Sequence, residues 1–224
     1  MADTRAALDR WNLDPWPVLR GWLLWSVAVA VALLGAVWVV AGLSTPDPTT
    51  LLVPGVNTEG TMADAMHLFG RNLLVLALHS MACVAGFMAG SSLPQIAESH
   101  SGLSRWVHEK AGPLAIGFVV CATAFSLTTQ AYALGQGAST IAAQFDTTPA
   151  TLLVCLLPHA LPELTALFLP LAAWIIASRA GRWNELLAAT FVTTALALPT
   201  LLTACLVEIF VSPLVINAVV NPAV

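Results

Sequence analysis

Between Gly21 and Leu43 the chain carries no charged residue, and four later stretches of similar length carry no more than two each. An α-helix rises about 1.5 Å per residue, so about 20 such residues cross a hydrocarbon layer roughly 30 Å thick. Composition agrees: of 224 residues, 58% are hydrophobic and 9% charged. No hydrophilic block is long enough to form a separate soluble domain. The chain therefore reads as all-α, a polytopic transmembrane helical bundle of about five spans at 21–43, 65–90, 112–134, 149–178 and 184–211. The first run is too long for a signal-peptide core and is expected to be retained. Residues 1–20 are expected to form a cytoplasmic interfacial segment, 21–213 a single transmembrane domain, and 214–224 a short outer tail. Helix breakers occupy the connections: Pro46, Pro48, Pro54 and Gly55 in the first, Pro94 and Gly102 in the second, Gly135, Gly137 and Pro149 in the third.

The fourth span contains Pro158-His159-Ala160-Leu161-Pro162-Glu163. His159 and Glu163 share a face if the helix is continuous. The two prolines each remove a backbone donor and crowd the preceding turn, which predicts a break between Pro158 and Pro162 and a partly re-entrant segment. Pro162 would then open a new helix and set Glu163 at its positive end.

Basic residues set an orientation. Arg5, Arg10 and Arg20 precede the first span, Arg105 and Lys110 fill the second connection, and Arg179 and Arg182 fill the fourth, while the first and third connections have none. Retention of Lys and Arg on the cytoplasmic side predicts a multi-pass protein of the cell inner membrane, amino terminus cytoplasmic and carboxyl terminus outside. Trp11, Trp16, Trp22, Trp25, Trp106, Trp174 and Trp183 gather toward the same boundary, where amphipathic rings anchor at headgroups.

Arg71 is the exception, lying inside the second span on the outer side next to Asn72. Counting along each helix from its outer end brings Arg71, Asn72, Gln130, His159, Glu163 and Glu208 into the outer half, as one intramembrane polar cluster. A lone charge near the bilayer centre costs about 3 kcal/mol on insertion scales. Arg71 is therefore expected to pair with Glu208 or Glu163. The cluster is read two ways, as a pocket or path entered from outside, or as structural pairing that holds the helices together. For His79, deep in the second span, a neutral imidazole bonded to a backbone carbonyl or a hydroxyl is favoured over a ligand or proton carrier. His67, His100 and His108 fall near boundaries and call for no special role.

Cys83, Cys121, Cys155 and Cys205 each stand alone in apolar runs and read as packing residues. Small residues recur every four at Ala82, Gly86 and Gly90 and at Ala28, Ala32 and Ala36, a pattern that more often builds the bundle than a homo-dimer. The sequence holds no His-Glu-x-x-His, Gly-x-Ser-x-Gly or Walker A pattern, and His159 with Glu163 alone supplies too few ligands for a catalytic zinc. No enzyme activity, metal or cofactor is expected. No basic patch supports nucleic-acid binding. The expected partners are the lipid bilayer and either a second copy of the chain, as a homo-dimer, or membrane-complex proteins.

Leu157-Pro158-His159-Ala160-Leu161-Pro162-Glu163-Leu164 resembles the Pro-His-Gly-x-x-Glu signature of the stage II sporulation protein M family. Leu206-Val207-Glu208-Ile209-Phe210-Val211-Ser212-Pro213 is similar to its closing Ile-Glu-x-x-x-Thr/Ser-Pro element, and Arg71-Asn72 with Gly86 and Gly90 to its second helix. The resemblance runs from 65 to 213, with Ala160 in place of a glycine and Pro162 added before the glutamate. It implies a small polytopic membrane protein without established catalytic residues. The expected role is a scaffold that positions partner proteins. The alternative is a permease-like subunit or channel for an ion, lipid or peptide that works with a separate ATPase.

Overall fold

The computed structural model describes residues 2–98 and 101–220. Among them the chain is an all-α helical bundle without a strand. The elements are α1 (Ala2–Leu13), α2 (Trp16–Leu43), α3 (Met62–Phe87), α4 (Leu93–Glu98), α5 (Gly102–Gln144), α6 (Pro149–Arg179), α7 (Leu186–Phe210) and α8 (Ser212–Val220). A wide π turn, Met88–Ser92, joins α3 to α4, and a 3₁₀ turn, Trp183–Glu185, leads into α7. Five helical stretches are long and apolar enough to cross a membrane: Trp16–Leu43, Met62–Ser92, Lys110–Gln144, Pro149–Arg179 and Trp183–Val220. The protein is a multi-pass integral membrane protein.

Local chemistry sets several helix starts. Thr61 and Asp64 cap α3 reciprocally: the Thr61 hydroxyl donates to Asp64 Oδ2 at 2.6 Å, and the Asp64 N–H donates back to Thr61 Oγ1 at 3.3 Å. Thr148 accepts the Thr151 N–H at 3.1 Å ahead of Pro149, whose missing donor costs nothing at a first helical position.

Three expectations need correction. The fourth span is unbroken, because α6 runs straight through Pro158 and Pro162 with no re-entrant segment. Each proline leaves one carbonyl four residues back without its helical donor. A full break would free several more backbone groups where the bilayer offers no water to take them. Both proline rings sit on the exposed face, while His159 is buried and Glu163 half-buried. The third span continues past residue 134 to Gln144, so Gly135 and Gly137 are helical. Gly135 serves close packing there: a Cβ at this position would come within 2.6 Å of Val40 Cβ. The expected tail from 214 is also largely helical, because Val211 is only a turn before α8. Residues 221–224 of that tail and His100 lie outside the described residues.

Contacts divide the chain into two units, and each long helix contributes one segment to each. Unit 1 comprises 1–26, 74–125 and 166–197, and unit 2 comprises 27–73, 126–165 and 198–224. In unit 1, Ala7, Trp11, Trp22, Cys83, Leu169, Ala173, Leu186 and Ala189 share a buried core. Trp11 and Trp22 meet edge to face with centroids 5.2 Å apart. The stripe of small residues that runs from α3 into the π turn receives side chains here: a Cβ at Gly86 would strike Trp174, and one at Gly90 the Trp183 ring. The α2 stripe does not pack inward, since Ala28 and Ala32 are exposed and the buried face of α2 is instead Trp22, Ser26, Ala30, Leu33, Val37 and Ala41. The core of unit 2 gathers Ala41, Ala138, Ala142, Leu152, Cys155 and Ile216.

Candidate functional site

Unit 2 contains a cavity of about 510 Å³. Apolar residues of α2, α5, α6, α7 and α8 form most of its wall, and Val53, Pro54 and Val56 of the first connection complete it. Its ionisable lining is Asp64, His67, Arg71, His159, Glu163 and Glu208.

The lining follows from helical register. Asp64, His67 and Arg71 are three and four residues apart on α3, so they share one face. His159 and Glu163 do the same on the continuous α6. Glu208 comes from the last turn of α7, and Ser212 from the start of α8.

Two polar contacts tie separate helices together. Asn72 donates from Nδ2 to Glu163 Oε1 at 2.9 Å, and the same nitrogen approaches Cys205 Sγ at 3.6 Å. His159 Nδ1 and the Ser212 hydroxyl lie 2.6 Å apart in a buried contact. Both contacts join α6 to another element, and each satisfies a group that would otherwise be costly to bury.

The sequence-predicted set is brought together in part. Arg71, His159, Glu163 and Glu208 line one cavity, and Asn72 bonds to the lining residue Glu163. Gln130 stays apart, donating to Ser126 Oγ at 2.9 Å one turn back on its own helix. The expected ion pair of Arg71 with Glu208 or Glu163 does not form among the described residues. Arg71 is exposed and acts on both carboxylates at longer range, while the direct partner of Glu163 is its neighbour Asn72. Arg71 keeps its charge at an exposed position, which is less costly than burying it in a pair.

Sequence reasoning missed Asp64 and His67, which line the cavity. The available signal was the spacing 64, 67, 71 on one helix face; an expected start at 65 excluded Asp64, and His67 was set aside as a boundary residue. It also left Ser212 out of the polar set, although Ser212 is the partner of His159.

His79 belongs to unit 1. Its Nδ1 lies 3.1 Å from the Leu167 carbonyl, and its ring is 5.2 Å from that of Phe168. This is the backbone-bonded arrangement favoured from sequence. One turn on, Cys83 donates to the Pro170 carbonyl at 3.1 Å, so α3 is fastened to α6 twice. No group of three or more His, Cys, Asp or Glu among the described residues is arranged to hold a metal ion.

No family model, curated protein or solved structure matches the chain.

Proposed function

We propose that the chain is a non-catalytic membrane scaffold of the stage II sporulation protein M type, resident in the cell inner membrane and positioning partner membrane proteins. The observation that carries this reading is the His159–Ser212 contact. The two sequence motifs behind the family resemblance are about fifty residues apart, a separation of 53 between these two side chains, yet their polar residues meet. With Asn72–Glu163, this puts polar residues of the motifs to use in joining helices, as an assembly role requires. The core of unit 1, where Phe168, Leu76 and Leu186 are fully buried, also favours a scaffold over a conduit, since the pocket of about 430 Å³ in that unit is lined instead by Trp11, Trp22, Phe191 and their neighbours.

A second reading, a permease-like subunit or channel, draws support from the cavity of unit 2. Proteoliposomes containing the purified chain discriminate between them. A scaffold leaves proton and potassium flux at the level of empty vesicles. In native membranes, a photo-crosslinking residue at Phe118 or Phe125, both exposed on α5, should give a discrete protein adduct. Flux well above empty vesicles, together with lipid adducts only, would reverse the preference.

A further inference from the structure

The polar groups of unit 2 are not all consumed in holding helices together. Glu208 makes no hydrogen bond or ion pair among the described residues, and neither does the Arg71 guanidinium, although both line the same cavity. Glu163 uses one carboxylate oxygen on Asn72 and leaves the other open. His159 is only 6% exposed, its Nδ1 is engaged by Ser212, and its Nε2 has no hydrogen-bond partner among the described residues. The cavity therefore holds an unpaired cation, unpaired carboxylate oxygens and an open imidazole nitrogen, surrounded by apolar walls.

We infer that this cavity binds the headgroup of a zwitterionic phospholipid bearing a primary ammonium, a site that goes beyond the scaffold reading and does not depend on which partner the chain positions. The ammonium would lie between Glu208 and the open oxygen of Glu163, and the phosphate would meet Arg71. The acyl chains would run along the apolar wall. Three features of the lining select this chemistry. A primary ammonium has three N–H donors to give to carboxylates, whereas a quaternary one has none. A guanidinium matches phosphate oxygens. The carboxylates Asp64, Glu163 and Glu208 against Arg71 alone disfavour a headgroup with net negative charge. The cavity volume falls in the range of small-molecule sites, about 300–1,000 Å³, and is matched to a headgroup with the first part of its chains.

The test uses the full chain, stripped of lipid in mild detergent and titrated with phosphatidylethanolamine, phosphatidylcholine or phosphatidylglycerol of matched acyl chains. Retention is read by native mass spectrometry and by the shift in Tm. The expected result is retention of phosphatidylethanolamine about tenfold above phosphatidylcholine, the factor that one charge-assisted hydrogen bond confers, with phosphatidylglycerol weakest. Glu208→Gln should bring the ethanolamine-to-choline ratio close to one, and Arg71→Met should weaken both zwitterions together. Leu134→Trp fills the cavity from its half-open wall and should abolish retention of all three, which keeps the test decisive if Glu208→Gln does not fold. Dodecylamine supplies the ammonium without a phosphate and should compete poorly. Equal retention of the two zwitterionic lipids, an unchanged ratio in Glu208→Gln, full retention in a folded Leu134→Trp, or competition by dodecylamine as strong as by phosphatidylethanolamine would each overturn the assignment.

Discussion

The two units use the same five long helices in opposite ways. Unit 1 contains Arg5, Arg10, Arg20, Arg105, Lys110, Arg179 and Arg182, while unit 2 has Arg71 as its one basic residue. Unit 1 also holds every tryptophan except Trp38. Its buried carboxylate is paired: Glu185 accepts from Arg10 at 2.9 Å and meets Arg182 at 3.3 Å, and Arg179 lies over the Trp25 ring at 5.2 Å. In unit 2, carboxylates and a lone guanidinium face a cavity and remain apart. A buried charge that is neutralised locally makes no demand on a ligand, whereas charge left unpaired at a cavity wall is available to one.

The comparison breaks most readily through the packing of unit 1. Phe168→Ala removes its largest fully buried side chain and should cost about 3 kcal/mol or more, seen as a large drop in Tm. Filling the small-residue seam with Gly90→Leu should be of similar severity, because the new side chain collides with Trp183.

Next in size is the polar tie in unit 2. Asn72→Ala strips Glu163 of its hydrogen-bond donor and should cost about 2 kcal/mol, within the range for leaving a buried polar group unsatisfied. A double-mutant cycle with Glu163→Gln should show coupling. Additive losses would mean that the contact does not hold α3 to α6. Glu185→Gln in unit 1 should cost about 1 kcal/mol or less, since its arginine partners are substantially solvated. Arg71→Met should change stability least of the charge substitutions, because no ion pair is lost. A loss as large as that of Asn72→Ala would show that Arg71 is paired after all.

The smallest effect is one of pH. In the first connection, Asp47 accepts the Thr49 N–H at 2.7 Å, and bonding to Thr49 holds its carboxyl below its ordinary value. The contribution of this turn is fully present at neutral pH, above the unfolded carboxyl's pKa. It is lost only as pH falls through the lowered folded value. Amide exchange at Thr49 should therefore be insensitive to pH-linked opening near neutrality, with protection lost only in strong acid. Asp47→Ala should remove that protection at all pH values.

Much of this architecture is legible in the sequence because the bilayer is such a restrictive solvent. Long uncharged runs have one economical solution, so the spans emerge from hydropathy alone. The errors arise where one residue type serves two purposes. Pro158 and Pro162 break helices in water, where freed carbonyls are solvated, but α6 carries them on its exposed face. Gly135 resembles a loop signal until Val40 is seen against it. Depth along a helix identified Arg71, His159, Glu163 and Glu208 as candidates for one layer, but depth does not report azimuth. Gln130 accordingly turned to its own helix, and Arg71 failed to reach a carboxylate. Asp64 was lost to a helix boundary misplaced by three residues, and His67 was set aside for lying close to it.

The contrast between the buried core of unit 1 and the ionisable cavity of unit 2 is tested most directly by cysteine accessibility in reconstituted membranes. On a background lacking the four native cysteines, single cysteines replace Leu156, Ala160 or Glu208, which line the cavity of unit 2, and Leu169, Ala173 or Ala189 in the core of unit 1. Each is exposed to a small charged thiosulfonate. Rapid modification is expected at the three cavity positions, and protection at the three core positions until the protein is unfolded. Equal reactivity of both sets in the folded protein would contradict this contrast, since the core of unit 1 would then be as open to water as the cavity of unit 2.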